Sequence, residues 1–222
     1  MEQPENKRLP VELSPQLITI MTTEHYNLQT GRAMTISEAN GRSSLFVGAV
    51  SSGLIALAFV GQLSHLGTAF YVFSLVLLPT LFFMGLITFE RVLQSGSADI
   101  IYTLGINRIR HLYLEYAPQM QPYFILSSHD DTSLPMESLG PMHRSRWQVF
   151  LSTAGMMAVL NSVLAGSFVG LLLAAFTLPL VVTTIAGVVT FLLSVGLHQR
   201  YQWGQWMRVG RNLPALFPSQ PG

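Results

Sequence analysis

The chain has 222 residues, half of them hydrophobic and only a tenth charged, whereas typical soluble domains are about a quarter charged. With no cysteine it can form no disulfide, thiolate nucleophile or cysteine-ligated metal site, and a formal net charge of +1 predicts no nucleic-acid partner. Charged residues are missing from two long blocks, 43–89 and 147–199, so the composition predicts a protein embedded in a lipid bilayer.

The part before the first apolar block contains two different segments. Residues 1–14 are polar and contain proline, which predicts a disordered N-terminus. Ser14 followed by Pro15 is a typical helix start, because serine caps the first turn and proline needs no hydrogen bond there. No further proline occurs until Pro79, so we expect a helix over 15–43 that leads towards the membrane.

The first apolar block is long enough for two membrane spans, because one span needs about 20 residues. We predict a first transmembrane hairpin over 44–90, with spans at 44–63 and 68–89. The turn is predicted at four polar or small residues between these spans, namely Gln62, Ser64, His65 and Gly67.

The segment between the two apolar blocks, 91–147, is predicted to form a helix and a loop. Apolar residues recur every three or four positions from Ile100 to Tyr116, which is a helical pattern that Pro118 should end. From residue 119 onwards prolines, serines and glycines are frequent, and this composition favours a loop.

The second apolar block predicts a second hairpin over 148–199, with spans at 149–175 and 179–198. Pro179 suits the first turn of the fourth span, where a missing N–H leaves no hydrogen bond unmade. Residues 200–222 favour an interfacial helix and a tail beside anionic headgroups. The predicted fold class is all-α, a polytopic membrane protein with four transmembrane helices in two hairpins and with cytoplasmic helical extensions.

The basic residues predict the orientation in the membrane. All twelve lysines and arginines precede the first span, lie between the second and third, or follow the fourth. An even number of spans puts these regions on one side, and the positive-inside rule assigns that side to the cytoplasm. Trp147 and Trp203 flank the second hairpin, where aromatic rings prefer the interface. We expect a multi-pass protein of the cell membrane, plasma or bacterial inner, with both termini in the cytoplasm.

Small residues recur at four-residue steps in two spans and predict close helix packing. The first span carries Ser44, Gly48, Ser52 and Ala56, and the third carries Ala154, Ala158, Ser162, Gly166, Gly170 and Ala174. The pattern leaves open whether these helices pack within one subunit or between subunits. The length of the stripes favours a homo-oligomer.

The spans contain no ionisable residue, because His65 and His198 fall at predicted span ends. Ion-coupled transporters and intramembrane enzymes ordinarily need such side chains inside the bundle, so we predict neither, and no catalytic residue. Asn161 favours an interhelical hydrogen bond over a ligand contact. Alternatively, a pore could be lined by polar side chains, namely Asn161, Ser162, Thr183, Thr184 and Thr190.

Two polar groups outside the spans are candidate sites. The run from Ser128 to Asp131 has no spaced partner motif, which predicts a solvated loop and no metal or cofactor. Asn107, Arg108 and Arg110 could bind an anion, a lipid headgroup or a partner protein. We favour instead structural pairing with acidic residues. The candidate partners are Glu38, Glu90, Asp99 and Glu115.

Two parts of the chain carry a resemblance to a class of known proteins. SEANGRSSL at 37–45 is a polar helix end that runs straight into a span, and GINRIR at 105–110, with Tyr113, follows the second span. Both resemble small bacterial multi-span membrane proteins, many of them uncharacterised, including transmembrane effectors of nucleotide-signalled defence systems. The resemblance implies a pore-forming or membrane-perturbing oligomer. The chain departs from the effector pattern by having four spans and no separate nucleotide-sensing domain.

Two classes of function are therefore open. The first is a non-enzymatic membrane assembly or scaffold protein, whose spans oligomerise and whose cytoplasmic helices bind a partner protein. The second is a channel or membrane-effector pore formed by a homo-oligomer, since hydrophobic constrictions can gate a pore without intramembrane charge. The small-residue stripes, the helical extensions and the lack of a catalytic constellation favour the first.

Overall fold

The structure is a computed structural model that describes residues 14–131 and 150–219. Within these ranges all regular elements are helical, and four helices are long and apolar enough to cross a membrane. They are α1 (Pro15–Leu63), α2 (Thr68–Tyr116), α3 (Thr153–Ala175) and α4 (Leu180–Asn212), with a 3-10 helix at Pro118–Tyr123. The all-α fold class and the four apolar, membrane-length helices are confirmed.

Some predictions fall on residues outside the described ranges. They are the disorder of residues 1–13, the position of Trp147, most of the loop after residue 131, and the start of the second hairpin at residue 148.

The first two helices continue well beyond their apolar segments. α1 begins at the predicted Ser14–Pro15 start, where Ser14 Oγ accepts a hydrogen bond from the Leu17 amide at 3.2 Å. α2 ends at Tyr116, before Pro118, as predicted. Each helix has 49 residues, which is about 70 Å of α-helix against a bilayer core of about 30 Å. Both helices must therefore project out of any bilayer that their apolar segments cross.

A tight turn joins α1 to α2 at Ser64–Gly67, as predicted. His65 and Leu66 take positive φ angles of 50° and 57°, and the Leu66 amide donates to Gly61 O at 2.9 Å. Residues near the start of α1 contact residues near the end of α2, and later residues of α1 contact earlier residues of α2, so the two helices run antiparallel. These contacts include Leu28 with Gly105, Arg32 with Asp99, and Gly53 with Leu81.

The helices are arranged around a central pair, α2 and α3. α1 packs on α2, and α4 packs on α3. Buried hydrophobic side chains of α1, α2 and α3 form the core, including Phe46, Leu78, Phe89, Met157 and Leu164. The buried side chains of α4, over the part that the structure describes, are polar, namely Thr183, His198 and Gln202.

The boundaries of the last two helices differ from the predicted ones. α3 begins at Thr153, because Ser152 has an extended backbone and its Oγ caps the helix by accepting from the Gly155 amide at 3.0 Å. Pro179 is the N-cap of α4 and not a residue of its first turn. α4 runs without a break past His198 to Asn212, so His198 is not at a helix end.

Candidate functional site

The small residues of α3 lie against the rest of the same chain. Ala154, Ala158, Ser162 and Gly166 are buried, whereas Gly170 and Ala174 are half-buried. A Cβ atom added to Gly166 would lie 2.7 Å from the backbone oxygen of Gly187 in α4. One added to Gly170 would lie 3.4 Å from Thr183 O. The backbones of α3 and α4 thus approach as closely as small residues allow.

The small residues of α1 have different surroundings. Ser44, Gly48 and Ser52 are exposed, and Ala56 is half-buried. A Cβ atom added to Gly48 would meet no atom of residues 14–131 or 150–219 within 4 Å. The buried positions of α1, such as Phe46, lie on the opposite side of the helix. The α1 stripe is therefore free within one chain, and its predicted role in helix packing stays a prediction.

A buried polar cluster connects α3 to α4 and consists of Asn161, Ser162, Ser194 and His198. Asn161 Nδ2 lies 3.3 Å from His198 Nε2, and Ser162 Oγ lies 2.9 Å from Ser194 Oγ. His198 Nδ1 lies 2.8 Å from Ser194 O. Asn161 thus makes an interhelical contact of the kind predicted for it. His198 is only 7% exposed, so the histidine that the sequence places at a span end lies in the interior of the helix bundle.

The cluster also touches α2. A Cβ atom at Gly85 would overlap Asn161 Oδ1, and the Phe89 and His198 rings pack edge to face with centroids 4.9 Å apart. Asn161 Oδ1 has no hydrogen-bond partner among the described residues. Gly85 therefore makes room for the amide where three helices meet.

The residues proposed as a pore lining do not share one surface. Asn161, Ser162 and Thr183 are buried within the chain, Thr184 is exposed, and Thr190 is half-buried. Ser162 Oγ also contacts Ala158 O at 2.7 Å, and Thr183 Oγ1 donates to Leu180 O at 2.9 Å. The hydroxyl groups of Ser162 and Thr183 are therefore occupied inside the fold.

A second polar group lies beyond the apolar segment of α2 and is centred on Asp130. Asp130 is fully buried, and its Oδ2 accepts from Arg108 Nε at 2.7 Å and from the Leu216 amide at 2.9 Å. Its Oδ1 accepts from the Phe217 amide at 2.7 Å. The solvated loop predicted for Ser128–Asp131 is therefore wrong at Asp130. The chain near the C-terminus folds back over this residue.

These contacts fix the C-terminal segment 213–219, called the tail below, onto α2. Arg108 Nη2 donates to Pro214 O at 3.0 Å, and the His111 and Phe217 rings stack with centroids 4.0 Å apart. Asp131 accepts from the Ser219 amide at 2.8 Å. Arg108 thus makes a structural ion pair, although its partner is none of the four acids that the sequence suggested.

The charge of Asp130 follows from these donors. Burial alone would raise the pKa of this carboxyl group, but two backbone amides and the Arg108 guanidinium outweigh burial and hold its pKa below the usual value. Asp130 is therefore ionised at neutral pH and holds the tail as a carboxylate.

Asn107 and Arg110 belong to the same region of α2. Asn107 Nδ2 donates to His129 O at 2.9 Å, and Asn107 Oδ1 accepts from Arg110 Nη1 at 3.0 Å. The structure thus brings two of the three predicted residues onto one loop, at His129 and Asp130. Asn107 and Arg108 hold that loop, whereas Arg110 contacts a neutral amide.

The two polar groups differ in how far the sequence indicates them. Ser194, His198 and Gln202 recur at four-residue steps, a helical pattern that could have placed His198 on the α3-facing side of α4. The partners of Asp130 follow it by more than 80 positions, at Leu216 and Phe217. No local pattern marks such a contact.

No protein family matches this chain, and neither curated proteins nor solved structures include a match. The resemblance to bacterial membrane effectors stays a prediction.

Proposed function

We propose that this chain is a non-enzymatic assembly or scaffold protein of the cell membrane, with two transmembrane hairpins and both termini in the cytoplasm. The observation that carries the proposal is the helical layer outside the apolar segments, formed by 15–43 of α1, 90–116 of α2 and the tail. A membrane anchor alone needs no such layer. Such a layer is needed by a protein that presents a binding surface at a fixed distance from the bilayer.

Contacts within this layer support a rigid arrangement. Arg32 Nε and Asp99 Oδ1 are 2.7 Å apart and join α1 to α2. Asp130 and Arg108 then fix the tail to the other side of α2. Since α1 and α2 enter the layer as unbroken helices, its position relative to the membrane follows from the packing of the spans.

The proposed topology is supported by contacts between distant parts of the chain. Tyr201 Oη of α4 donates to Glu90 Oε2 of α2 at 2.9 Å, so the last helix leaves its apolar segment at the end where α2 leaves its own. The described arginines lie at this same end of the molecule. Two hairpins with the basic regions together fit the positive-inside rule.

The exposed stripe of α1 supports self-association. Ser44, Gly48 and Ser52 form a shallow face opposite the core, and lipid-facing helices use such faces to bring backbones together. The pore has less support, because the side chains of Asn161 and Ser162 form hydrogen-bond contacts inside one chain. We therefore place the subunit contact along α1 and assign no conducting path.

The oligomeric state tests the proposal. We expect native mass spectrometry of the protein in nanodiscs to give a homo-oligomer. We expect electrical recordings in planar bilayers to show no ion conductance. Gly48→Leu should shift it towards monomer with unchanged helix content, because the glycine is open within one chain. Gly48→Ala, which keeps the residue small, is the matched control. A monomeric wild type would contradict the proposal, and a conducting ring of four or more subunits would favour the pore.

Labelling of single cysteines tests the topology, and the absence of native cysteine gives a clean background. Thr68→Cys, in the first turn of α2, should react with a membrane-impermeant maleimide added outside cells. Gln119→Cys should react only after the cells are permeabilised. The reverse labelling pattern would mean that the orientation is inverted and that the helical layer does not lie in the cytoplasm.

A further inference from the structure

One group of basic side chains on the α1–α2 pair lies beyond the apolar segments and consists of His25, Arg32 and Arg110. Arg32 lies one heptad after His25 on α1, and Arg110 lies one helical turn before Tyr113 on α2. The His25 and Tyr113 rings stack with centroids 5.8 Å apart, and Asp99 bonds Arg32. Asp99 is thus the one carboxylate that contacts these cations in the described ranges.

Arg110 differs from the neighbouring Arg108 in how its charge is balanced. Arg108 pairs with the buried Asp130, whereas Arg110 is half-buried and, among the residues that the structure describes, donates only to Asn107 Oδ1. No carboxylate within the described residues lies in ion-pair distance of Arg110. A partly desolvated guanidinium without a counter-charge is unfavourable, and a bound anion removes that penalty.

His25 supplies a second donor without an acceptor. Gln29 Nε2 lies 2.7 Å from His25 Nε2 and donates to it, which leaves the proton of the neutral imidazole on Nδ1. His25 Nδ1 is buried and has no partner among the residues described. Buried donors are nearly always hydrogen-bonded, so this one indicates a missing acceptor.

Electrostatics agrees with the geometry. Burial and the nearby charge of Arg32 lower the pKa of Arg110, and burial and the charge of Arg110 lower the pKa of His25. Arg32 and Arg110 therefore repel each other across the helix contact, and the charge of Arg110 disfavours protonation of His25. An anion among them would relieve this repulsion and raise both pKa values.

We propose that Arg110, His25 and Arg32 bind a phosphate-type anion between α1 and α2. A guanidinium donates two N–H groups to one phosphate, and the imidazole N–H gives a third direction. Phosphate chemistry could come from a soluble compound or from a lipid headgroup. The position favours the soluble source, because Arg110 lies about 30 Å of helix beyond Phe89, where the span is proposed to end. Only this choice of source rests on the proposed topology.

Thermal unfolding in neutral detergent at constant ionic strength, with inorganic phosphate replacing chloride, tests the site. We expect a saturable rise in Tm for the wild type. Arg110→Gln should weaken the apparent affinity about tenfold or more, since a charge-assisted hydrogen bond contributes about 1.5–3 kcal/mol. Arg42→Gln is the matched control, because Arg42 is exposed and pairs with Glu38, and its response should equal that of the wild type. No response to either inorganic phosphate or anionic lipid, or equal responses in both variants, would overturn the site.

Two further measurements make the result specific. The pKa of His25, followed by NMR, should rise when phosphate is added to the wild type and should not respond in Arg110→Gln. Nanodiscs with anionic lipid, compared with zwitterionic ones, test the source. A response to anionic lipid without one to inorganic phosphate would overturn the soluble source. Stoichiometry is measured separately, so failure here is distinguishable from failure of the scaffold proposal.

Discussion

The two outer helices, α1 and α4, attach to the central pair by different means. α1 buries Phe46 and Val50 in the core and adds the Arg32–Asp99 ion pair beyond the apolar segment. α4 buries polar side chains over its described length and approaches α3 closely at Gly187, through backbone atoms.

The difference follows from the solvent that each helix meets. Lipid tails are as apolar as leucine, so burying a hydrophobic side chain inside the bilayer gains little. A helix such as α4, mostly apolar, is therefore held by close backbone contact and by hydrogen bonds. Phe46 and Val50 of α1 lie within its apolar segment and stabilise mainly through close packing. The Arg32–Asp99 pair lies beyond that segment, where ion pairing acts as in soluble proteins. Hydrophobicity alone thus does not identify the face by which a membrane helix packs.

The largest effect is expected at the α3–α4 contact. Gly166→Leu would place atoms against the Gly187 backbone, which cannot move aside as a flexible side chain can. We expect the free energy of unfolding to fall by about 3 kcal/mol or more, when wild type and variant are unfolded in the same detergent. Gly48→Leu is the same change at an open position and should leave the stability of the monomer nearly unchanged. Equal stabilities of the two variants would remove the distinction between the outer helices.

The next effect concerns the layer attached to α1 and α2. Asp130→Asn keeps the shape of the side chain but removes the negative charge that accepts hydrogen bonds from Arg108 and from the Leu216 and Phe217 amides. We expect the free energy that holds the tail to α2 to fall by about 2 kcal/mol, because the Arg108 guanidinium loses its counter-charge. Hydrogen exchange at the Leu216 and Phe217 amides should accelerate. Asp131→Asn, whose contact with Ser219 is exposed, should have a smaller effect, and similar exchange in both variants would contradict the central role of Asp130.

The pH dependence of the tail follows from the depressed pKa of Asp130. A carboxyl group with a lower pKa when folded stabilises the folded state above its unfolded pKa, which is about 3.9. That contribution is lost as pH falls through the lower, folded value. A fluorophore on Ala215→Cys should keep its anisotropy from pH 7 to about pH 5 and lose it only below about pH 3.9. Release near neutral pH would mean that another group controls the tail.

The sequence predicts helices better than it predicts their partners. Charge-free blocks and prolines locate four apolar helices and their ends at Pro15 and Tyr116, because span length and proline geometry are local properties. The partner of Asp130 is not local, and the orientation of His198 depends on α4 continuing as a helix past the apolar segment. Small-residue spacing marks both α1 and α3, yet only packing distinguishes the buried Gly166 from the open Gly48.

The smallest effect is expected at the ion pair that α1 forms with α2. Arg32 and Asp99 are 33% and 31% exposed, so water and salt screen their attraction and Arg32→Gln should cost less than about 1 kcal/mol. The variant also removes one of the cations that repel Arg110, which reduces the loss further. Unfolding at low and high salt should show a small difference from the wild type that shrinks with salt. A loss as large as that of Gly166→Leu would mean that α1 depends on charge more than α4 depends on backbone contact, and the ranking of the two outer helices would be reversed.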